Sequence, residues 1–584
     1  MKTWIAKIKD SGPWIVFFEI FVIAQLLLIF VFNLTHLKYE AGFDSSAAMA
    51  QAMEIWNQKS IFLKHWDYQS TLGLDSVIIP ASIFYGITHN IFLAYGIADC
   101  LGVLLYIYIF RDIFKMLQLP KLVRMIVYVL LLTPYSLEPL GYMPMMFTGA
   151  AYYIIKVLIP IMLIDILLKI RLEIPVRRYL HILITYFAAV YLTALSCGLY
   201  LLICGLFPII LYELFTVICS GSFKNFLSKN TLLLSASLVI YGLGYASAKI
   251  YGADIFTNEM VLTTAENFVN NFAKCIVGIA ELFGALPNQK IVVTSAFGIH
   301  YLSHMAAFLL FVIILIATIK TVHPLSGLLK NGQTDSPVQT VAGMVCCIIA
   351  VNLAVLILTD TTYGSETFEF RYHLIPVVSG FLVVGIGIGG GGGGAWLKAH
   401  PNPLIFTSAM ALIAIIWLVC NIVFYYYYTS RNNYETSTAI TGYVQEHSDC
   451  DLVYFIGDSD SEIIEVARIA RLLENRLNII DGISVGSFLG WGASRTYYDP
   501  METFDKVIIV CTDETYDSIE PYYRRDMTKL GTVDDYTLYE LTDILSPEEY
   551  EKEQDNEEDI LSEDESASDD ESNTISGNDT DTED

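Results

Sequence analysis

Hydrophobic and polar positions alternate along this chain in long blocks. Apolar stretches of roughly 20 residues, enough to cross the hydrocarbon core of a bilayer, are separated by two different kinds of polar loop. Read in windows of about 19 residues, the pattern predicts spans near 14–34, 91–113, 122–136, 144–169, 178–196, 199–218, 231–250, 302–322, 338–359, 372–393 and 404–427, about eleven in all. One set of loops is short and basic, holding Lys7, Arg111, Lys121, Lys169, Arg178 and Lys320 among others. The other set is poor in Lys and Arg. Cytoplasmic loops carry the excess of Lys and Arg, so the N-terminus is expected inside. An odd number of spans then puts the C-terminus outside. Trp14–Leu34 is long and lacks a small-residue cleavage site, so it reads as a retained first span.

The outer side is expected to hold loops near 35–90 and 251–301, the short loop Asp360–Arg371, and everything after Tyr428. Within the first loop, Ser45–Trp56 has helical spacing, with Ala47, Met49, Ala50, Met53 and Trp56 as an apolar face. This predicts a helix lying on the membrane surface. After residue 428 the period changes. Asp451–Gly457, Lys506–Thr512 and Thr537–Thr542 read as strands, and Ser461–Leu473 reads as a helix. The expected organisation is a transmembrane domain over 1–428, a small extracytoplasmic α/β domain over 429–545, and an acidic tail over 546–584.

Composition sharpens this picture. The chain is 54% hydrophobic and only 16% charged, against about 25% charged in soluble domains. The net charge of −27 is concentrated in the tail, where 18 acidic residues face Lys552 alone. Such a segment cannot bury enough apolar surface to fold and is expected to be disordered. No basic face suited to nucleic acid is present. The ten cysteines include no C-x-x-C pair. Cys450 and Cys511 fall in the exported domain, as a disulfide or as two buried thiols. Gly389–Gly394 has no strand before it, so it reads as a helix end or hinge, not a phosphate loop.

Several residues carry candidate chemistry. Asp44 opens the surface helix, either as its N-cap or as a general base held at the outer interface. Lys64, His65, Trp66, Asp67 and Tyr68 form a polar and aromatic stretch suited to sugar or phosphate, or to an interfacial belt. Asp67 and Asp75 are too far apart in sequence to argue for a metal. Arg371, just before Tyr372 and the tenth span, is placed to fork onto a phosphate or to anchor at the headgroups. Lys156 falls inside the fourth predicted span, where an ionisable residue is costly and usually functional. It is expected to reach a lipid phosphate or pair with a carboxylate. Asp99 and Asp165 are weaker candidates of the same kind. His300 and His304 share a helix face but lack the Glu of a zinc-protease motif, so they read as an interfacial pair. Gly457-Asp458-Ser459 is too short to argue for a hydrolase.

The layout resembles the GT-C superfamily of integral-membrane glycosyltransferases, which includes protein O-mannosyltransferases and the aminoarabinose transferases of lipid A. Four features carry the resemblance: Phe43-Asp44-Ser45 opening a surface helix; a short apolar helix before the second span within Leu74–Phe110; Arg371-Tyr372 followed by Pro376 entering a late span; and a small external α/β domain ending in Tyr536-Thr537-Leu538-Tyr539-Glu540-Leu541. Where many members carry Asp-Glu, this chain has Asp44-Ser45, which leaves Asp44 as the sole matching carboxylate.

The resemblance implies a sugar donor on a polyprenyl phosphate and an extracytoplasmic acceptor in a surface glycan, lipid or protein. It implies Asp44 as base with inversion at the anomeric carbon. Arg371 and Tyr372, with Lys64 or Lys156, would stand at the lipid phosphate, and the loop near 251–301 would be a cover. No cofactor is required, and metal dependence is left open. The competing readings are a transporter or flippase of a lipid-linked precursor, and a GT-C-like scaffold without activity.

Overall fold

Long runs of Leu, Ile, Val and Phe satisfy their backbone groups internally as helices, the arrangement a bilayer demands. The computed structural model describes residues 12–64, 66, 71–133, 135, 141–149, 151–220, 228–251, 261–287, 290–324, 336–359, 370–389, 408–409, 411–419, 422, 433–457, 462–473, 477–482, 505–519, 524 and 526–542. It divides into two compact units: residues 1–63 with 68–432, and residues 433–584 with 64–67.

The first unit is helical among its described residues. Its elements are α1 (Pro13–Thr35), α2 (Phe43–Gln58), α3 (Ile78–Thr88), α4 (Ile91–Met116), α5 (Lys121–Leu132), α6 (Tyr142–Met146), α7 (Ile154–Arg171), α8 (Leu180–Cys197), α9 (Phe207–Ser220), α10 (Lys229–Tyr251), α11 (Ala265–Leu282), α12 (Ala296–Val322), α13 (Pro337–Leu358) and α14 (Leu374–Gly389). Among the described residues, eight helices are long and apolar enough to cross a membrane. The differences from the expected spans have local causes. The stretch expected as 122–136 ends as a helix at Leu132. The stretch expected as 144–169 is two helices, α6 and α7, separated by a turn rich in small residues. Most of 404–427, all of Gly390–Gly394 and the acidic tail lie outside the described residues.

Helix α7 is the polar axis of this unit. Nearly all of it is buried, although it carries Lys156, Asp165, Lys169 and Arg171. Each charge is paired, as burial requires. Lys169 Nζ lies 2.6 Å from Asp165 and 2.9 Å from Asp112 of α4. Arg171 pairs with Glu213 of α9 and donates to Thr340 Oγ1 of α13 at 2.9 Å. Pro160 sits inside the helix. It has no N–H to give the Lys156 carbonyl, four residues back. At the same end as Lys169, Lys121 of α5 lies 2.5 Å from Glu19 of α1. The opposite end, formed by the C-terminus of α1 and the N-termini of α4 and α7, holds a different set of residues.

Close crossings fix that opposite end. A Cβ on Gly96 of α4 would clash with the carbonyl oxygen of Asn33 on α1, and Asn33 Nδ2 donates to the Phe147 carbonyl at 2.7 Å. Gly96→Ala is therefore expected to force α1 and α4 apart and to cost about 1–3 kcal/mol, read as a lowered melting temperature of the purified protein in detergent. Between α8 and α9 the backbone passes through a π turn, Leu202–Leu206. Asn352 of α13 donates to the Cys204 carbonyl there at 2.8 Å, satisfying a buried acceptor.

The second unit is a small α/β domain. Its elements are α15 (Asn433–His447), β1 (Leu452–Ile456), α16 (Glu462–Arg471), β2 (Ile479–Gly482), β3 (Lys506–Cys511), α17 (Asp513–Ser518), β4 (Met527–Val533) and β5 (Tyr536–Thr542). The sheet order is β2-β1-β3-β5-β4. The first three strands are parallel, and β5 and β4 close the sheet as an antiparallel hairpin. Leu452, Tyr454, Ile456, Val507, Ile509 and Leu541 form one side of the core. Cys450 and Cys511 are both free thiols, Cys511 fully buried.

Candidate active site

Asp44, Lys156, Arg371 and Tyr372 lie at the end of the first unit opposite Lys169. Helix α2 starts two residues after Ala41, and its N-cap is Gly42, not Asp44. Ser45 Oγ accepts from the Gly42 N–H at 2.8 Å, and Ser46 Oγ donates to the Gly42 carbonyl at 2.7 Å. Asp44 is thus relieved of capping. It stands in the first turn, half-buried, where unpaired N–H groups favour a negative charge. Its carboxylate has no hydrogen-bond or ion-pair partner among the described residues, while its main-chain carbonyl accepts from the Tyr152 hydroxyl.

The buried face of α2 is rotated from the expected one. Met49 and Ala50 of the expected face are sealed, together with Ala48, Ala52 and Ile55, whereas Ala47, Met53 and Trp56 are only half-buried. The cause is packing against α3, which selects small residues, with the Trp56 ring filling the space over Gly86.

Lys156 is the third residue of α7, not a mid-span position. Its Nζ lies 3.0 Å from Asp75 Oδ2, in a pair whose carboxylate is 1% exposed. Of the two expected partners, the structure places the carboxylate. The same ammonium lies over the Tyr153 ring at 4.7 Å. Tyr153 meets Tyr200 edge-on at 6.4 Å, and Tyr200 lies 6.0 Å from Tyr372. The Arg371 guanidinium sits 5.4 Å from the Tyr372 ring centroid and within electrostatic reach of Tyr153. An unbroken row therefore runs from Asp75 and Lys156 through Tyr153, Tyr200 and Tyr372 to Arg371. Adjacent residues join the two halves: Tyr152 holds Asp44, and Tyr153 begins the row.

The long loop near 251–301 contains a helix of its own. In α11, Asn271 Nδ2 donates to the Thr359 carbonyl at 3.1 Å and the Ile357 carbonyl at 3.3 Å. Cys275 of α11 packs beside Leu356, Ile357 and Tyr372. Lys64 is exposed and groups with the second unit. His65 and Asp67 lie outside the described residues, as do Glu366 and Glu369. The His300 and His304 rings lie 4.1 Å apart at a tilt of 41°, and His304 Nδ1 lies 2.7 Å from the Phe283 carbonyl. Among the described residues, no cluster of three His, Cys, Asp or Glu residues is arranged to hold a metal.

Sequence reasoning missed Glu40, Thr148, Tyr152, Tyr153 and Tyr200. The Thr148-Gly149-Ala150-Ala151 run inside a predicted span was the one signal of a break that could have drawn attention to the tyrosines after it.

No protein-family model matches the chain, and no curated protein sequence matches it. Among solved structures, the crystal structure of ArnT from Cupriavidus metallidurans bound to undecaprenyl phosphate aligns over 92% of this chain and 99% of its own, with a TM-score of 0.52 and 12% sequence identity. The crystal structure of the same ArnT in the apo state aligns over 91% and 98%, with a TM-score of 0.44 and 12% identity. The chain therefore shares the overall fold of that ArnT structure, and its chemistry has to be argued from the residues above.

Proposed function

We propose that this protein is a membrane glycosyltransferase that moves a sugar from a polyprenyl-phosphate donor to an extracytoplasmic acceptor. The observation that carries this reading is the continuity of the site. A carboxylate without a partner among the described residues is tied, through Tyr152 and Tyr153, to a row that ends in a guanidinium. The fold around it is shared with a structure of ArnT that was crystallised bound to undecaprenyl phosphate.

In this reading the Asp44 carboxylate takes the proton of the acceptor hydroxyl. The acceptor oxygen attacks the anomeric carbon from the face opposite the phosphate, the bond from that carbon to the phosphate oxygen breaks, and configuration inverts. The polyprenyl phosphate leaves with its negative charge held by Arg371, whose planar fork suits a phosphate, and by Lys156. Tyr153, Tyr200 and Tyr372 offer aromatic faces between the two charges. The site lies at the end of the helices opposite Lys115, Lys121, Lys169 and Arg171, which supports an extracytoplasmic position by the distribution of positive charge.

The test is direct. Purified protein in detergent is given a panel of radiolabelled polyprenyl-phosphate sugars together with extracts of envelope glycans, lipids and proteins. Label moved to an acceptor, with release of polyprenyl phosphate, is the expected result. A well-folded protein that neither transfers nor hydrolyses any donor would overturn the reading.

A further inference from the structure

The turn between α1 and α2 carries a carboxyl that the chemistry above does not use. Glu40 accepts a hydrogen bond from Thr148 Oγ1 at 2.6 Å. Part of its stem is exposed, but Oε2 is sealed from solvent and has no partner among the described residues. Asp99 of α4, fully buried and also without a partner for either oxygen, lies within electrostatic reach of it.

Thr148 begins the tight turn that separates α6 from α7. The Ala151 N–H donates to the Thr148 carbonyl at 3.0 Å. Gly149 stands at φ +61° and Ala151 at φ +40°. A residue with a Cβ persists at positive φ only where its surroundings over-determine it. Those surroundings are on both sides. A Cβ on Gly149 would lie 3.9 Å from Glu40 Oε1 and 4.0 Å from Ser45 Cβ of α2. The next residue in the chain after Ala151 is Tyr152, which donates to the Asp44 carbonyl.

We propose that Glu40 is a positioning residue for Asp44, acting through Thr148 and the turn 148–152 that carries Tyr152. The inference rests on the transferase reading for its kinetic consequence, but not for its structural one. Burial of the Glu40 carboxyl pushes its pKa up to about 8, against the opposing pull of the Thr148 hydrogen bond. The neutral acid therefore holds the turn at pH 7, and the anion replaces it as pH passes 8. The titratable groups on the surrounding elements are Asp99 and Tyr95 of α4, Asp44 of α2, Tyr152 of the turn, and His36, Lys38 and Tyr39 on the same connection. The Lys38 ammonium lies over the Tyr39 ring at 4.8 Å.

Three variants test this: Glu40→Gln, which keeps a neutral acceptor for Thr148, and Glu40→Ala and Thr148→Val, which remove the link. In transfer assays, kcat is expected to fall about ten-fold in the Ala and Val variants with the donor KM unchanged. Glu40→Gln, which still accepts from Thr148, should keep most of the wild-type kcat. A loss carried by KM, or a Glu40→Gln variant as impaired as Glu40→Ala, overturns the proposal.

Two measurements do not depend on turnover. First, the folded state keeps a proton that the unfolded chain releases, so wild-type stability should decline relative to Glu40→Gln between the ordinary carboxyl pKa of 4.5 and about 8. Second, hydrogen exchange at the first turn of α2 should accelerate in Glu40→Ala and Thr148→Val, but not in Glu40→Gln. Exchange unchanged in all three variants overturns the positioning role even if wild type transfers sugar. The expected exchange pattern with an inactive wild type would leave it standing while the transferase reading falls.

Discussion

Asp44→Asn is expected to reduce sugar transfer roughly 10²–10⁴-fold, the range lost when a positioned general base is removed. The amide is nearly isosteric with the carboxylate but cannot take the acceptor's proton. The fold should hardly notice the change. The cap of α2 is built from Gly42, Ser45 and Ser46, and the Asp44 carboxylate contacts no partner within the described protein. Its remaining structural contribution is the charge at a helix start, about 0.3–1 kcal/mol. Wild type and variant should therefore melt within a few degrees of each other while differing sharply in labelled product. Full activity in Asp44→Asn would remove Asp44 from the chemistry. A variant that fails to fold would show a structural role that the hydrogen bonds do not indicate.

The second large effect is on stability. Lys156→Met should destabilise the protein by about 3–5 kcal/mol, because it leaves the Asp75 carboxylate buried and uncompensated. Removing both charges together, as Asp75→Asn with Lys156→Met, should recover most of that loss. An ion pair this deep contributes little net stability, yet neither partner tolerates the absence of the other. Denaturation of the two single variants and the double variant in detergent gives the coupling energy directly. Additive effects would show that Lys156 and Asp75 do not interact in solution. The same series separates a structural Lys156 from a phosphate-binding one: a stable double variant with unchanged donor KM would take Lys156 out of the donor site.

How far the sequence reached depends on whether the deciding contact was local. Spans such as Pro13–Thr35 and Pro337–Leu358 are set by their own apolar runs and were legible at once. So were β1 and β3, whose buried residues sit in continuous hydrophobic stretches. β2 escaped because it has only four residues. β4 escaped because it is an edge strand without a buried residue, interrupted by an irregularity between Lys529 and Gly531. In the candidate site, Asp44 and Arg371 could be picked out from their short motifs. What joins them could not. Thr148 meets Glu40, and Tyr152 meets Asp44, each across 108 residues of sequence, and periodicity carries no information over that distance. Lys156 illustrates the same limit. Its type marked it as important, but only the fold showed that Asp75 faces it.

Pro160 gives helix α7 two mechanically distinct halves. Beyond it, Lys169 and Arg171 bolt the helix to α4, α9 and α13. Before it, the Lys156 carbonyl has lost its helical donor, so the first turn is joined to the remainder by a weakened seam. A ligand that drew Lys156 away from Asp75 would bend α7 at that seam. The displacement would be absorbed there, within one turn, and the far end of the helix would not register that the site had been filled.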